Sequence, residues 1–356
     1  MHLEEGLIPA EYARYTGRKV LANAAGLVLL LVLLLVSISV GAVPIPLGDV
    51  VRTLFTGRGS RQWEIIILNI RLPQALSAVV AGAGLAVSGV AMQSILRNPL
   101  GSPFTLGISN AAAFGAAFSV MVLGSGAMRS TAAAAVAISN PYITTLSAFI
   151  ACLAATGVIL AIARFKRASP EVMVLAGVAL GSLFTAGTMF LQYFADDVQL
   201  AAMVFWTFGD VGRASWGELA MISTVTAAAT VYFVFNRWNY NAIDAGDETA
   251  KGLGVAVERA RLIGMVVAAL VTATIIAFVG VIGFVGLVCP HMVRRIVGDD
   301  HRFLIPGSLI GGGVLLLAAD TVARLVMAPH VLPVAILTAF LGAPVFIYLL
   351  IKGYRR

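Results

Sequence analysis

Charge is scarce in this sequence. Only 12% of the 356 residues are Asp, Glu, Lys or Arg, while 60% are hydrophobic; a soluble domain carries about 25% charged and about 45–50% apolar residues. A water-soluble core cannot hide that much apolar surface, because surface does not shrink fast enough relative to volume. Lipid is therefore the solvent for most of the chain. Cysteine is nearly absent. Cys152 and Cys289 both stand inside apolar runs and form neither a CxxC pair nor a disulfide framework. His291 follows Cys289 by two positions, but a closed zinc site takes four ligands, so no metal site is expected. There is no Gly-rich loop ending in Lys-Ser/Thr and no His-Glu-x-x-His. These absences leave no catalytic residue to name and no cofactor for the chain to bind. The net charge of +7 comes from short clusters between apolar runs rather than from a basic stripe, so nucleic acid is excluded as a partner.

What is present is a series of apolar runs near the length of about 20 residues that a membrane crossing requires. They cover residues 20–40, 72–96, 104–123, 142–163, 171–194, 219–235, 262–281, 284–297, 303–327 and 334–351. The reading is an all-α polytopic membrane protein with ten transmembrane helices, in a single domain spanning 1–356. The first run lacks a small-x-small cleavage site and reads as a span rather than a leader. The stretch 262–293 is one uncharged run, too long for one span and short for two; Gly280, Gly283 and Gly286 supply a tight turn in its middle. With ten spans and the N-terminus inside, 17 of the 24 Lys and Arg residues fall inside and 7 outside. That bias supports an N-in, C-in orientation, with 1–19 as a cytoplasmic N-terminal segment and 236–261 as the longest cytoplasmic loop.

Ionisable side chains deep in a span mark function or a partner. Asp320 is the clearest, and Arg324 lies on the same helix face four residues on. The pair reads as structural or docking, or as part of a proton relay. The relay would make the chain an ion-coupled secondary transporter working alone. Within the long loop, residues 247–254 suit a short helix bounded by Gly246 and by Gly252 and Gly254, either plainly solvated or a knob for a partner. Ser169, Pro170 and Glu171 read as an N-cap, a first-turn proline and an acid at the positive helix end. Gln192 is polar in an apolar run, which suits a core hydrogen bond or a wall of a water-filled path.

Several stretches together resemble the permease subunit of ABC importers for ferric siderophores, haem and cobalamin, the FecCD-type family. They are Arg71-Leu72-Pro73, residues 82–93, 97–103, 106–109, 175–180, 247–254 and 282–291, then Asp299-Asp300-His301-Arg302, residues 319–324 and 342–346, running in the family order from about residue 40 to the C-terminus. The resemblance implies the ABC type II importer permease fold and localisation in the cell (inner, cytoplasmic) membrane. It implies a translocation path between two copies of the chain, two cytoplasmic ATPase subunits that use ATP and Mg, and an extracytoplasmic substrate-binding protein. It implies ATPase coupling through Asp247, Glu248, Ala250, Lys251 and Leu253. Docking of the binding protein falls to Arg71 and Arg324. Gln74 replaces an arginine of the cobalamin-type pattern, and Arg52, Arg58 or Arg61 compensates. For Arg71 the plain alternative is interfacial snorkelling. The cytoplasmic gate falls at Asn98, Leu100 and Ser169, and the path wall at Met189, Gln192 and Tyr193. Whether the substrate is a siderophore, haem, cobalamin or an oxyanion stays open.

Overall fold

The computed structural model describes residues 10–41, 43–57, 59–127, 137–138, 140–165, 169–327 and 330–351. Arg58 lies outside the described residues. The chain is helical in this order: α1 (Ala10–Ser39), α2 (Leu47–Thr56), α3 (Arg61–Glu64), a π-helical stretch (Ile65–Arg71), α4 (Leu72–Ile95), α5 (Ile108–Met121), α6 (Pro141–Phe165), α7 (Pro170–Phe194), α8 (Asp197–Thr207), a 3₁₀ turn (Val211–Arg213), α9 (Trp216–Phe235), α10 (Arg237–Asp244), α11 (Asp247–Gly252), α12 (Val257–Val279), α13 (Val285–Val297), α14 (His301–Val326) and α15 (Val334–Ile351). The one departure from an all-α chain among the described residues is a two-residue antiparallel pairing of Gly126–Ala127 with Ala137–Ile138.

Each of the ten apolar runs is a helix. Seven helices among the described residues are long and apolar enough to cross a membrane: Glu11–Ser39, Arg61–Ile95, Pro141–Phe165, Pro170–Phe194, Trp216–Phe235, Val257–Val279 and His301–Val326. α5 and α15 are shorter apolar helices, and α13 is shorter still, with Pro290 inside it and Arg294 and Arg295 in its last turn.

Three departures from the sequence reading have physical causes. The second run was expected to start at residue 72, yet the helix is continuous from Arg61 to Ile95. A proline ring inside an α-helix strikes the carbonyl four residues back. The π-helical turns just before Pro73 widen the backbone there. α8 was not anticipated. Its signal is a capping box in which Asp196 Oδ1 accepts from the Gln199 amide at 2.7 Å and Gln199 Oε1 accepts from the Asp196 amide at 3.2 Å. Ser169 does precede α7, but its hydroxyl donates to the Glu171 carboxylate and makes no cap to the backbone.

α4 is the axis of the molecule, packed against α9, α12, α13 and α14, with α5 against α6 and α7 alongside. Small residues permit this. A Cβ on Gly82 would overlap the carbonyl oxygen of Gly312 in α14, and one on Gly89 would overlap that of Gly286 in α13. Close backbone approach is how membrane helices gain packing energy where lipid removes the hydrophobic drive between them. The 262–293 run breaks where expected. α12 ends at Val279, Gly280 has φ +81°, and α13 begins at Val285 after Phe284 at φ +66°.

Candidate functional site

Polar side chains gather at the two ends of the bundle. At one end they surround the C-terminus of α1. A helix end leaves its last carbonyls unsatisfied and carries partial negative charge. Arg71 is buried (6% exposed) and donates through Nη1 to the carbonyls of Ile38 at 2.8 Å and Ser39 at 3.0 Å, and through Nη2 to that of Val43. Arg324 donates through Nη2 to the Ser37 hydroxyl at 2.6 Å and through Nη1 to the Ser37 and Val40 carbonyls at 3.3 and 3.4 Å. Its Nε lies 3.1 Å from Asp320 Oδ2, and Gln74 Nε2 donates to Asp320 Oδ1 at 3.0 Å. Arg213 does the same for α8. It donates to the carbonyls of Phe205, Trp206 and Phe208 at 2.6, 3.1 and 2.9 Å, and burial pulls its guanidinium below its ordinary value.

Three residues of the expected docking set are engaged within the chain. Arg71 and Arg324 are not free rim charges; they cap α1, and Gln74 holds the carboxylate that Arg324 pairs. The Arg71 head is turned into the protein. Arg52 and Arg61 are exposed.

At the opposite end α10 and α11 form an elbow between α9 and α12. Gly246 at φ +117° opens α11 and Gly254 at φ +83° follows it. Asp247 faces inward. Both its oxygens accept from Arg261 at 2.7 Å, a bidentate pair, and Arg261 Nε donates to the Ile95 carbonyl at 2.9 Å. Arg97 adds a looser contact to Asp247 at 3.6 Å. The hydrogen bonds from Arg261 hold the Asp247 carboxyl below the usual carboxylate range, against the effect of burial. Ala250 is fully buried. Of the five expected coupling residues, Glu248, Lys251 and Leu253 are exposed, with Lys251 3.1 Å from Glu248. Asp247 and Ala250 anchor the helix instead of presenting it.

The sequence reading missed a second group at this end. His301 is fully buried. The Asn241 amide nitrogen donates to Asp300 Oδ1 at 3.1 Å, which turns Asn241 Oδ1 toward His301. That oxygen accepts from the His301 backbone amide at 2.9 Å and from Nδ1 at 2.8 Å. Nδ1 therefore carries the ring proton, and Nε2 accepts from the Ser94 hydroxyl at 3.0 Å. The Asp244 carboxylate lies 3.8 Å from Nδ1. Burial pushes the Asp244 carboxyl up to about 6, against the pull of Arg294. The available signal was His301 itself, one of four histidines and set in an Asp-Asp-His-Arg run.

Beyond α4 lies the expected gate turn. Arg97 takes φ +45°, rare for a residue with a side chain. Asn98 Oδ1 accepts from the Leu100 amide at 2.8 Å, and the Pro99 carbonyl lies 2.7 Å from His291 Nε2. The expected path residues sit together near the end of α7, with Met189 and Tyr193 exposed and Gln192 half-buried. Among the described residues no group of three His, Cys, Asp or Glu side chains could hold a metal.

Helices long and apolar enough to cross lipid define a multi-pass membrane protein. Residues 29–352 match the family described as the FecCD transport family. An ABC transporter permease protein of Methanocaldococcus jannaschii is 53% identical over 349 residues, covering 98% of this chain and 99% of that one. The hemin transport system permease protein of Yersinia pestis is 38% identical, covering 92% and 94%. A solved structure described as an inward-facing conformation of a metal-chelate type ABC transporter superposes with a TM-score of 0.80 at 27% identity, covering 93% of this chain and 99% of that one. The chain belongs to the FecCD transport family and is a permease of the ABC importer class.

Proposed function

We propose that this chain is the membrane-spanning subunit of an ATP-driven importer for a bulky metal chelate, a siderophore or haem, or for cobalamin. All ten helical runs cross the cell (inner, cytoplasmic) membrane, three of them as short or tilted crossings, with both termini inside. Two copies enclose the path. Two separate ATPase subunits hydrolyse ATP with Mg, and an extracytoplasmic binding protein delivers the substrate, so this chain binds no cofactor and is not itself an enzyme. The observation that carries the reading is α11, a short helix anchored to the bundle by Asp247 and Ala250 while Glu248, Lys251 and Leu253 face outward. It is the natural seat for an ATPase. Asn98, Leu100 and Ser169 serve as the cytoplasmic gate, and Met189, Gln192 and Tyr193 line the path. Arg52 and Arg61 meet the binding protein.

The test is hemin uptake into proteoliposomes, alongside a ferric siderophore and cobalamin. The chain is reconstituted alone and with the ATPase and binding protein encoded beside it. ATP-dependent uptake only by the full assembly supports the proposal and identifies the substrate. Uptake by the lone chain driven by an ion gradient overturns it in favour of a secondary transporter.

A further inference from the structure

Both halves of the elbow are tied to the same turn of α4, through different helices. Asn241 of α10 holds the His301 imidazole, whose Nε2 meets the hydroxyl of Ser94. Asp247 of α11 holds the Arg261 guanidinium, whose Nε meets the carbonyl of Ile95. The two go-betweens are among the most buried polar side chains of the molecule, His301 at 0% and Arg261 at 2% exposed. Ser94 and Ile95 are consecutive and end α4. Two residues beyond Ile95 comes Arg97 in its left-handed conformation, and then the Asn98–Leu100 turn.

We propose that the Ser94–Ile95 turn is the relay through which movement of the elbow reaches the gate turn, with His301 and Arg261 as positioning residues that carry it. This rests on the permease reading above, in which an ATPase pushes α11 and residues 98–100 close the path. The physical argument is stiffness. A buried imidazole or guanidinium bonded in this way cannot change partners without leaving a polar group unsatisfied in a low-dielectric interior. A displacement of α10 or α11 is therefore passed to α4 rather than absorbed. Packing at the α4 crossings resists bending of α4 itself, since Gly82 and Gly89 lie against neighbouring backbone. Arg97, held in a sparsely populated conformation, is the first place the chain can yield. Two parallel ties ending on adjacent residues also fix the direction of the push, which a single contact would not.

The experiment uses the full assembly in proteoliposomes, with Leu100→Cys in the gate turn as reporter. The readout is its labelling rate by a membrane-impermeant maleimide, with and without ATP and vanadate. Ser94→Ala removes only the hydroxyl that meets His301, and Arg261→Lys keeps the charge while giving up the fork to Asp247 and Ile95. Each variant alone is expected to shrink the ATP-dependent change in labelling, and the double variant to abolish about a tenfold change, the range of an ordinary coupling between sites. Binding of the ATPase is expected to persist, and Ser94→Thr, which keeps the hydroxyl, to retain the response. A merely structural role would lower melting temperature without separating ATPase binding from gate movement. If Arg261→Lys fails to fold, Ser94→Ala against Ser94→Thr decides alone. Full ATP-dependent labelling in Ser94→Ala and in whichever Arg261 variant folds overturns the relay. No ATPase binding and no ATP response in the unmodified assembly fails the permease reading and takes the relay with it, a result distinct from loss in the variants alone.

Discussion

Arg71 and Arg324 bind neighbouring carbonyls at the same end of α1, Arg71 Nη1 lying 2.8 Å from the Ile38 oxygen and Arg324 Nη1 3.3 Å from that of Ser37. Two cations so close would repel, but the partial negative charge of the helix end and the Asp320 carboxylate lie between and beside them. This arrangement ties the ends of α4 and α14 to α1.

Breaking the Asp320–Arg324 pair is expected to destabilise the fold. Arg324→Met leaves a buried carboxylate facing only Gln74, and losing one partner of a buried pair costs about 3–5 kcal/mol. The double variant Asp320→Asn/Arg324→Met is expected to recover part of that loss. Thermal unfolding in detergent measures both. A loss in the double variant equal to the sum of those in Asp320→Asn and Arg324→Met would show that the pair is not coupled.

Binding-protein docking is expected to ignore Arg71. Because its head is bound to three backbone carbonyls, Arg71→Gln should lower the melting temperature and leave the salt dependence of docking unchanged. Arg52→Gln and Arg61→Gln, at exposed positions, should slow association and flatten the salt dependence, as loss of rim charges does. Association rates measured across ionic strength distinguish the two sets.

Two carboxylates three residues apart in the elbow are shifted in opposite directions, so the elbow responds to pH on both sides. Asp244 is raised to about 6 by burial. Its stabilising contribution is complete below the unfolded carboxylate value of about 3.9 and is lost as pH rises through about 6. Asp247 is lowered by Arg261. Its contribution is complete above about 3.9 and is lost as pH falls through its depressed folded value. Hydrogen exchange of residues 237–254, corrected for intrinsic rates, should show less protection at pH 7 than at pH 5. Asp244→Asn should remove that decline, and Asp247→Asn should remove the acid-side loss.

The exposed and buried residues of α11 should part company on substitution. Leu253 is 71% exposed. If it enters a pocket on the ATPase, Leu253→Asp loses about 2 kcal/mol of binding, roughly thirtyfold, with an unchanged melting temperature. Asp247→Asn should instead lower the melting temperature, because Arg261 is left buried without its counter-charge. Titration of the ATPase against each variant in detergent, paired with melting curves, tests the distinction.

Each of the ten helical runs was legible in the sequence, as were the break after Val279 and the glycine-bounded helix at 247–252. The short helices α8 and α10 were not. Both lie outside the long apolar runs, and α10 shows its amphipathic face only through Tyr240 and Ile243, which are buried by packing from elsewhere. At the candidate site, residue identities were legible but their exposure was not. Arg71 and Arg324 stood out as charges, Asp247 as an acid on a surface helix, and His301 only as part of a longer motif.

The difference is one of range. Whether a stretch of chain prefers lipid to water depends on its own side chains, nearly additively, so composition and hydropathy alone determined a helical membrane protein. Whether a guanidinium is a rim charge or a helix cap depends on which distant carbonyls come within 3 Å of it. Arg71 finds those of Ile38, Ser39 and Val43, and His301 finds Ser94 and Asn241. Those meetings are made by the packing of α1, α4, α10 and α14, and only the tertiary structure decided them.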